Sequence, residues 1–104
     1  ITKKIINMRI FSDSENKMNL SIQEIQGELL IVSQFTLYAD CKKGNRPSFT
    51  KSAKVIEAQK IYNEVVNYIS NHYKLVKTGE FGADMDIELV NNGPVTIQLD
   101  SKLL

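Results

Sequence analysis

Glu28-Leu29-Leu30-Ile31-Val32-Ser33-Gln34-Phe35-Thr36-Leu37 is the stretch on which the fold turns. The apolar run Leu29 to Val32 is too short for a helix and lacks polar alternation, so it reads as a strand covered on both faces. Phe35 and Leu37 extend that strand to residue 37, with Ser33, Gln34 and Thr36 breaking in at its end. Alternation along a strand then sends Ser33 and Phe35 to one face and Gln34 and Thr36 to the other. Polar groups at the end of a buried strand need partners or a ligand. Free backbone N–H groups at such an end suit an oxyanion. A strand end whose polar groups are simply satisfied accounts for the same pattern.

Downstream, residues 38–52 hold Asp40, Gly44, Asn45 and Pro47 and read as a loop. Residues 53–73 form the clearest helix: Val55, Ala58, Tyr62, Val65, Val66, Ile69 and Tyr73 step by three and four, and Ser52 is placed to cap it. Residues 74–78 suit a short strand, and 79–83 a glycine-containing loop. From Asp84 to Val90 the pattern alternates, with Met85, Ile87 and Leu89 on one face and Asp84, Asp86 and Glu88 on the other; Val95, Ile97 and Leu99 repeat it. These two strands flank Asn91-Asn92-Gly93-Pro94, which reads as a hairpin turn. Upstream, residues 20–27 fit either a short strand or one helical turn, 11–19 a loop or loose hairpin, and 1–10 a helix through Ile1, Ile5, Ile6 and Ile10. The sum is an α+β fold with a mainly antiparallel sheet and a long helix between strands. No cap precedes Ile1, so the opening helix reads as the back half of a longer one, and an N-terminal piece is expected before it.

A chain of 104 residues suits one domain, 1–104, with a modest core. Its 42% hydrophobic and 24% charged residues exclude the disordered class. A net charge of +1 means that any basic footprint is local. The single cysteine excludes a disulfide scaffold. No apolar run approaches membrane-spanning length and no signal-peptide pattern opens the chain, so a cytoplasmic setting without a membrane partner is expected.

Most catalytic toolkits find no support. The one histidine, His72, falls near a helix end, where a cation complements the dipole, and it lies in no motif. Cys41 stands beside Lys42 and Lys43, but without a histidine motif it reads as an ordinary loop thiol. Asp84, Asp86 and Glu88 suit a solvated strand face, and no metal-ligand spacing, phosphate loop or Gly-x-Ser-x-Gly elbow occurs. No metal or cofactor is called for. An enzyme built on this sequence works through backbone groups and hydroxyls, or lets its substrate supply the chemistry.

Asn91-Asn92-Gly93-Pro94-Val95-Thr96 is the second informative stretch. Pro94 opens a strand where its missing N–H is tolerable, and Gly93 permits dihedrals that other residues resist. An X-Pro bond has appreciable cis probability, and a cis bond would aim two adjacent carbonyls at a common donor such as an ammonium group. A plain hairpin turn is the competing reading.

Together these two stretches resemble the paired signature of the D-aminoacyl-tRNA deacylase family. The resemblance continues through Lys42-Lys43-Gly44-Asn45-Arg46-Pro47-Ser48-Phe49 and Thr78-Gly79-Glu80-Phe81-Gly82-Ala83-Asp84-Met85, in matching order across nearly the whole chain. It implies a homodimeric, barrel-like enzyme, with sites at the subunit interface, that cleaves the ester joining a D-amino acid to tRNA and clears mischarged glycine. It implies that Gly93 and Pro94 reach into the partner's pocket, read the substrate α-amino group and exclude L-amino acids by clash. It implies that Ser33, Gln34, Phe35 and Thr36 form the opposite wall, with Phe35 and Thr36 offering N–H groups to the oxyanion. Thr36 matches a threonine once considered the nucleophile; the other view gives that assistance to the terminal ribose 2′-hydroxyl, which the lack of a base near Thr36 in the sequence favours. Phe81 and Met85 line the pocket in the same reading, though core packing explains them equally well.

The family has an N-terminal segment before the position of Ile1 that supplies strands and an arginine holding the Gly-Pro element. Its absence leads to the expectation of a truncated domain with exposed edges. Two other readings stand beside the deacylase: an editing domain of an aminoacyl-tRNA synthetase, and a tRNA-binding remnant without catalysis.

Between Asp40 and Glu57 lie Lys42, Lys43, Arg46, Lys51 and Lys54, with no acid among them. Such a run is ordinarily a solvated face, but beside a tRNA ester site it suits phosphate contact, with Lys42, Lys43 and Arg46 nearest. Replacing Lys42 and Lys43 together is expected to weaken tRNA binding and flatten its salt dependence while leaving D-over-L preference intact. Binding measured across a salt series checks this, and an unchanged slope would count against it.

Overall fold

The computed structural model describes residues 1–104. Helix α1 spans Thr2–Asn7 and buries Ile6 against α2, the long helix Val55–His72. The carbonyl of Ile6, left over at the end of α1, accepts from Gln23 Nε2 at 3.4 Å. Strands β1 (Phe11–Ser12) and β2 (Met18–Leu20) pair antiparallel, so the loose hairpin forms. Its turn is organised by the Asp13 carboxylate, which accepts from the N–H groups of Glu15 (2.8 Å) and Lys17 (3.0 Å) and from Asn19 Nδ2 (3.2 Å).

Past Leu20, which ends β2, the ambiguous segment 20–27 is resolved as turns, not a strand. Ser21 and Glu24 build a reciprocal capping box: the Ser21 N–H donates to Glu24 Oε2 at 2.6 Å, and the Glu24 N–H to Ser21 Oγ at 3.3 Å. The hydroxyl of Tyr73, just past α2, donates to the carbonyls of Ile22 (3.2 Å) and Gly27, fastening this turn to the helix end.

Strands β3 (Leu29–Ile31) and β4 (Val76–Thr78) pair parallel, Leu29 opposite Val76 and Ile31 opposite Thr78, with α2 between them in the chain. Here the expected mainly antiparallel, barrel-like sheet is corrected. There are two separate two-stranded sheets, one of each sense, and no closed sheet. The reason is geometric: strands joined through a long helix cross over and run the same way, which a hairpin cannot do. The apolar run is also shorter and less covered than its composition suggests. β3 ends at Ile31, Leu30 is 57% exposed, and residues 35–38 turn into a 3-10 helix.

The stripe on α2 is as the periodicity requires: Ala58, Tyr62, Val65, Val66 and Tyr73 are half-buried and Ile69 fully so, while Val55 is exposed. Ser52 does not cap the helix. Lys54 holds the cap position without a side-chain bond, and Ser52 Oγ instead donates to the carbonyl of Phe35 at 3.0 Å. At mid-helix the Tyr62 hydroxyl reaches the carbonyls of Ile31 (3.0 Å) and Gly79 (3.3 Å), and the Gly79 N–H donates to the same Ile31 carbonyl at 2.9 Å. Tyr62 thus pins α2 across the ends of β3 and β4.

The hairpin expected at 84–99 is the second correction. No strand forms there, and the backbone from 84 to 99 makes no main-chain to main-chain hydrogen bond. Alternation marks two faces, but a ladder also needs a neighbouring backbone, and none lies alongside. Leu89, Val90 and Ile97 are consequently exposed. The radius of gyration, 15.8 Å, exceeds the ~13 Å typical of this length, in keeping with an open segment.

The core is small: Ile6, Ile22 and Ile69, with Ser21 beside them. Ile69, 1% exposed, is its most enclosed member. Ile69→Ala is expected to cost about 2–5 kcal/mol, against about 1 kcal/mol for Tyr62→Phe, which removes one hydroxyl and no volume. Urea midpoints at unchanged slope check this ordering; an equal cost for both would refute the placement of the core at Ile69.

Candidate functional site

The polar end of β3 leads directly into the 3-10 helix Phe35–Tyr38. Gln34 holds the cap position in an extended conformation (φ −152°, ψ 96°), and the chain winds into the 3-10 helix directly after it. The expected two-sided alternation of Ser33, Gln34, Phe35 and Thr36 is therefore lost: Ser33 stays half-buried at the strand end, and the other three are exposed on the turn. A 3-10 turn begins with N–H groups that its own i to i+3 bonds do not use, and here they belong to Phe35 and Thr36. The turn is braced from outside by the Ser52 hydroxyl on the Phe35 carbonyl and by Phe49, whose ring meets that of Phe35 edge-on at 5.1 Å. The Thr36 hydroxyl donates to Gln34 Oε1 at 2.7 Å. A carboxamide oxygen takes no proton at neutral pH, so this contact orients Thr36 without activating it as a nucleophile.

Phe81 and Met85 lie around the same strand ends. Phe81 packs on Tyr62 with ring centroids 5.6 Å apart. Gly79 leaves room for Met85: a Cβ added to Gly79 would stand 2.8 Å from Met85 Sδ and 3.6 Å from Val32 Cγ1. Both side chains are half-buried. Their packing serves the local core.

Gly93 and Pro94 sit in the open segment, are exposed, and are joined by a cis peptide bond. Gly93 has φ 132°, and a Cβ there would come within 2.9 Å of Val95 Cγ2 and 3.1 Å of the Val95 nitrogen, so the turn requires glycine. Asn91 Oδ1 accepts the Val95 N–H at 3.0 Å and Asn91 Nδ2 reaches Thr96 Oγ1 at 3.4 Å, closing the turn that presents the Gly-Pro pair.

Lys42, Lys43 and Arg46 are exposed on the loop after the 3-10 helix. Asp40 organises its base. Asp40 and Ser48 exchange main-chain hydrogen bonds (2.7 and 2.9 Å), Asp40 Oδ1 accepts the Lys42 N–H at 3.0 Å, and Oδ2 meets Lys51 Nζ at 3.5 Å. The Lys42 N–H, aided by Lys51, holds the Asp40 carboxyl below its ordinary value. Cys41 is exposed. His72 is exposed too, its Nδ1 2.7 Å from the Tyr68 carbonyl and its ring stacked on Tyr68, as a residue ending a helix would be. No group of histidine, cysteine and acidic residues is arranged to hold a metal ion, and no helix is long and apolar enough to cross a membrane.

Sequence reasoning missed three supporting residues. Tyr62 is legible as a stripe residue but not as the hydroxyl that ties α2 to two strands. Ser52 is legible as a polar helix leader but bonds elsewhere. Asp40 gives only a turn signal, and its role depends on Ser48 and Lys51 folding back onto it.

A family model described as D-Tyr-tRNA(Tyr) deacylase matches residues 1–100. A D-aminoacyl-tRNA deacylase of Thermosipho africanus (strain TCF52B) is 60% identical over 102 residues, which are 98% of this chain and 68% of that protein. Among solved structures, the c-Myc DNA Unwinding Element Binding Protein superposes with a TM-score of 0.86 at 40% identity, over 96% of this chain and 68% of its own.

Because the folded-state pKa of Asp40 lies below the ordinary carboxyl value of 3.8, its contribution to loop order is fully present above that value. It is lost as pH falls through the lowered pKa. The Lys42 amide chemical shift, followed by NMR during acid titration, is expected to move with a midpoint below 3.8 and to lose that step in Asp40→Asn. A midpoint at or above 3.8 would contradict the contact.

Proposed function

Because the chain belongs to the D-Tyr-tRNA(Tyr) deacylase family, we propose that it hydrolyses the ester between a D-amino acid and the 3′ end of tRNA. The observation that carries this reading is the pair of unused N–H groups on Phe35 and Thr36, at a turn braced by Ser52 and Phe49. Preorganised donors of this kind stabilise the charge that develops on an ester carbonyl oxygen. Water adds to the carbonyl carbon, the oxyanion rests against the two N–H groups, and collapse breaks the bond to the ribose 3′-oxygen. That oxygen takes a proton, and free tRNA and D-amino acid leave. Glycine esters follow the same course.

Thr36 contributes its backbone, not its hydroxyl. The hydroxyl is engaged with the Gln34 carboxamide and has no base to deprotonate it. This supports a reaction in which the neighbouring ribose 2′-hydroxyl of the substrate assists. Gly93 and Pro94 supply chiral selection: their carbonyls receive the α-ammonium group, and the turn occupies the space an L side chain would need. Two copies assemble so that this element of one faces residues 33–36 of the other. The exposed Leu89, Val90 and Ile97 and the unpaired backbone of 84–99 support such an assembly.

Hydrolysis of D-Tyr-tRNA and L-Tyr-tRNA tests the reading. The D ester is expected to be cleaved and the L ester spared. Thr36→Val should keep most of the rate, whereas removing a true nucleophile costs on the order of 10⁶-fold in kcat. Gly93→Ala, which strains the turn, should narrow the D-over-L ratio. Equal cleavage of both esters by the unaltered protein would overturn the proposal.

A further inference from the structure

A groove of about 550 Å³ opens beside the 3-10 helix, lined by Leu37, Tyr38, Asp40, Cys41, Lys42 and Lys51 among others. It is separate from the wall made by Phe81 and Met85 and from the Gly93–Pro94 turn. We infer that this groove is a stacking subsite for the unpaired nucleotides that precede the ester-bearing one at the 3′ end of tRNA, with Tyr38 as the platform and Lys42 and Lys51 as phosphate partners. The inference rests on the deacylase reading for the identity of the RNA.

Three observations carry it. Leu37 and Tyr38 are 83% and 55% exposed although they sit within a short helical turn, so an aromatic face and an apolar neighbour are presented to solvent together. Cations flank that face: Lys42 follows in the chain, and Lys51 is anchored at its edge by Asp40 at 3.5 Å, with donor directions left open. The frame is built in advance, since the Asp40–Ser48 main-chain pair and the Lys42 N–H on Asp40 fix the backbone of Asp40 and Lys42 before any ligand arrives. An exposed aromatic face bordered by cations is what single-stranded RNA requires, because every base has a stackable face and every linkage a charge. Position agrees as well. Tyr38 ends the same 3-10 helix whose first residues offer the oxyanion donors, so a strand whose terminal ester lies at Phe35 and Thr36 would run past it.

Two measurements on the full chain test this. The first is the affinity of a single-stranded RNA tetranucleotide ending in the tRNA 3′ sequence. Tyr38→Leu is expected to weaken it roughly tenfold with no change in salt slope, and Tyr38→Phe to leave it near normal. The second needs no variant: Cys41, the only cysteine, should be alkylated readily by iodoacetamide in the RNA-free protein and protected by the tetranucleotide. Normal affinity in Tyr38→Leu, lack of protection at Cys41, or a Cys41 already unreactive without RNA because a second copy covers the groove would each overturn the inference. D-Tyr-tRNA hydrolysis run in parallel separates the two levels. Hydrolysis without RNA protection of Cys41 sinks the subsite alone, and protection without hydrolysis leaves the subsite standing while the deacylase reading falls.

Discussion

The hydroxyl of Tyr62 sits where three elements meet. It reaches the carbonyls of Ile31 and Gly79, the last of these bonded through its own N–H to Ile31, so α2, β3 and the chain leaving β4 share one hydrogen-bonded junction. In a molecule whose enclosed core is three isoleucines and a serine, such a junction carries more of the geometry than it would in a larger protein. The residues around the strand ends depart from it: Ser33 and the 3-10 helix on one side, Gly79, Phe81 and Met85 on the other. Phe81 rests on the Tyr62 ring itself.

From that junction outward, order is supplied by polar contacts of short reach. Ser52 braces Phe35, Asn91 closes the Gly93 turn, and Asp40 gathers Lys42, Ser48 and Lys51. None of these involves a buried charge, and each fixes backbone direction more than it adds stability. That suits a site whose chemistry depends on where N–H and carbonyl groups point. Under the proposed reading, the groups offered to an ester are peptide groups, which every residue possesses and no side-chain motif marks.

The motifs at 33–37 and 91–96 carry the family resemblance, and family membership follows from the match over residues 1–100. The resemblance could not set the local form of the 33–36 segment. An apolar run followed by Phe35 and Leu37 reads as continuing strand, yet the chain turns at Gln34 because β3 has only β4 to pair with and that pairing ends at Ile31 and Thr78. Alternation at 84–99 likewise marked faces for a sheet whose neighbouring backbone is not alongside.

Periodicity by itself determined the long helix and its buried stripe from Ala58 to Tyr73. These depend on spacing within a segment, and spacing is written in the residues. The parallel sense of β3 and β4, the 3-10 helix at Phe35–Tyr38, the redirection of Ser52 and the gathering of the loop around Asp40 were decided by tertiary structure alone. Each is a choice among partners distant in the chain, and a polar residue's partner depends on which distant backbone folding brings within hydrogen-bond reach.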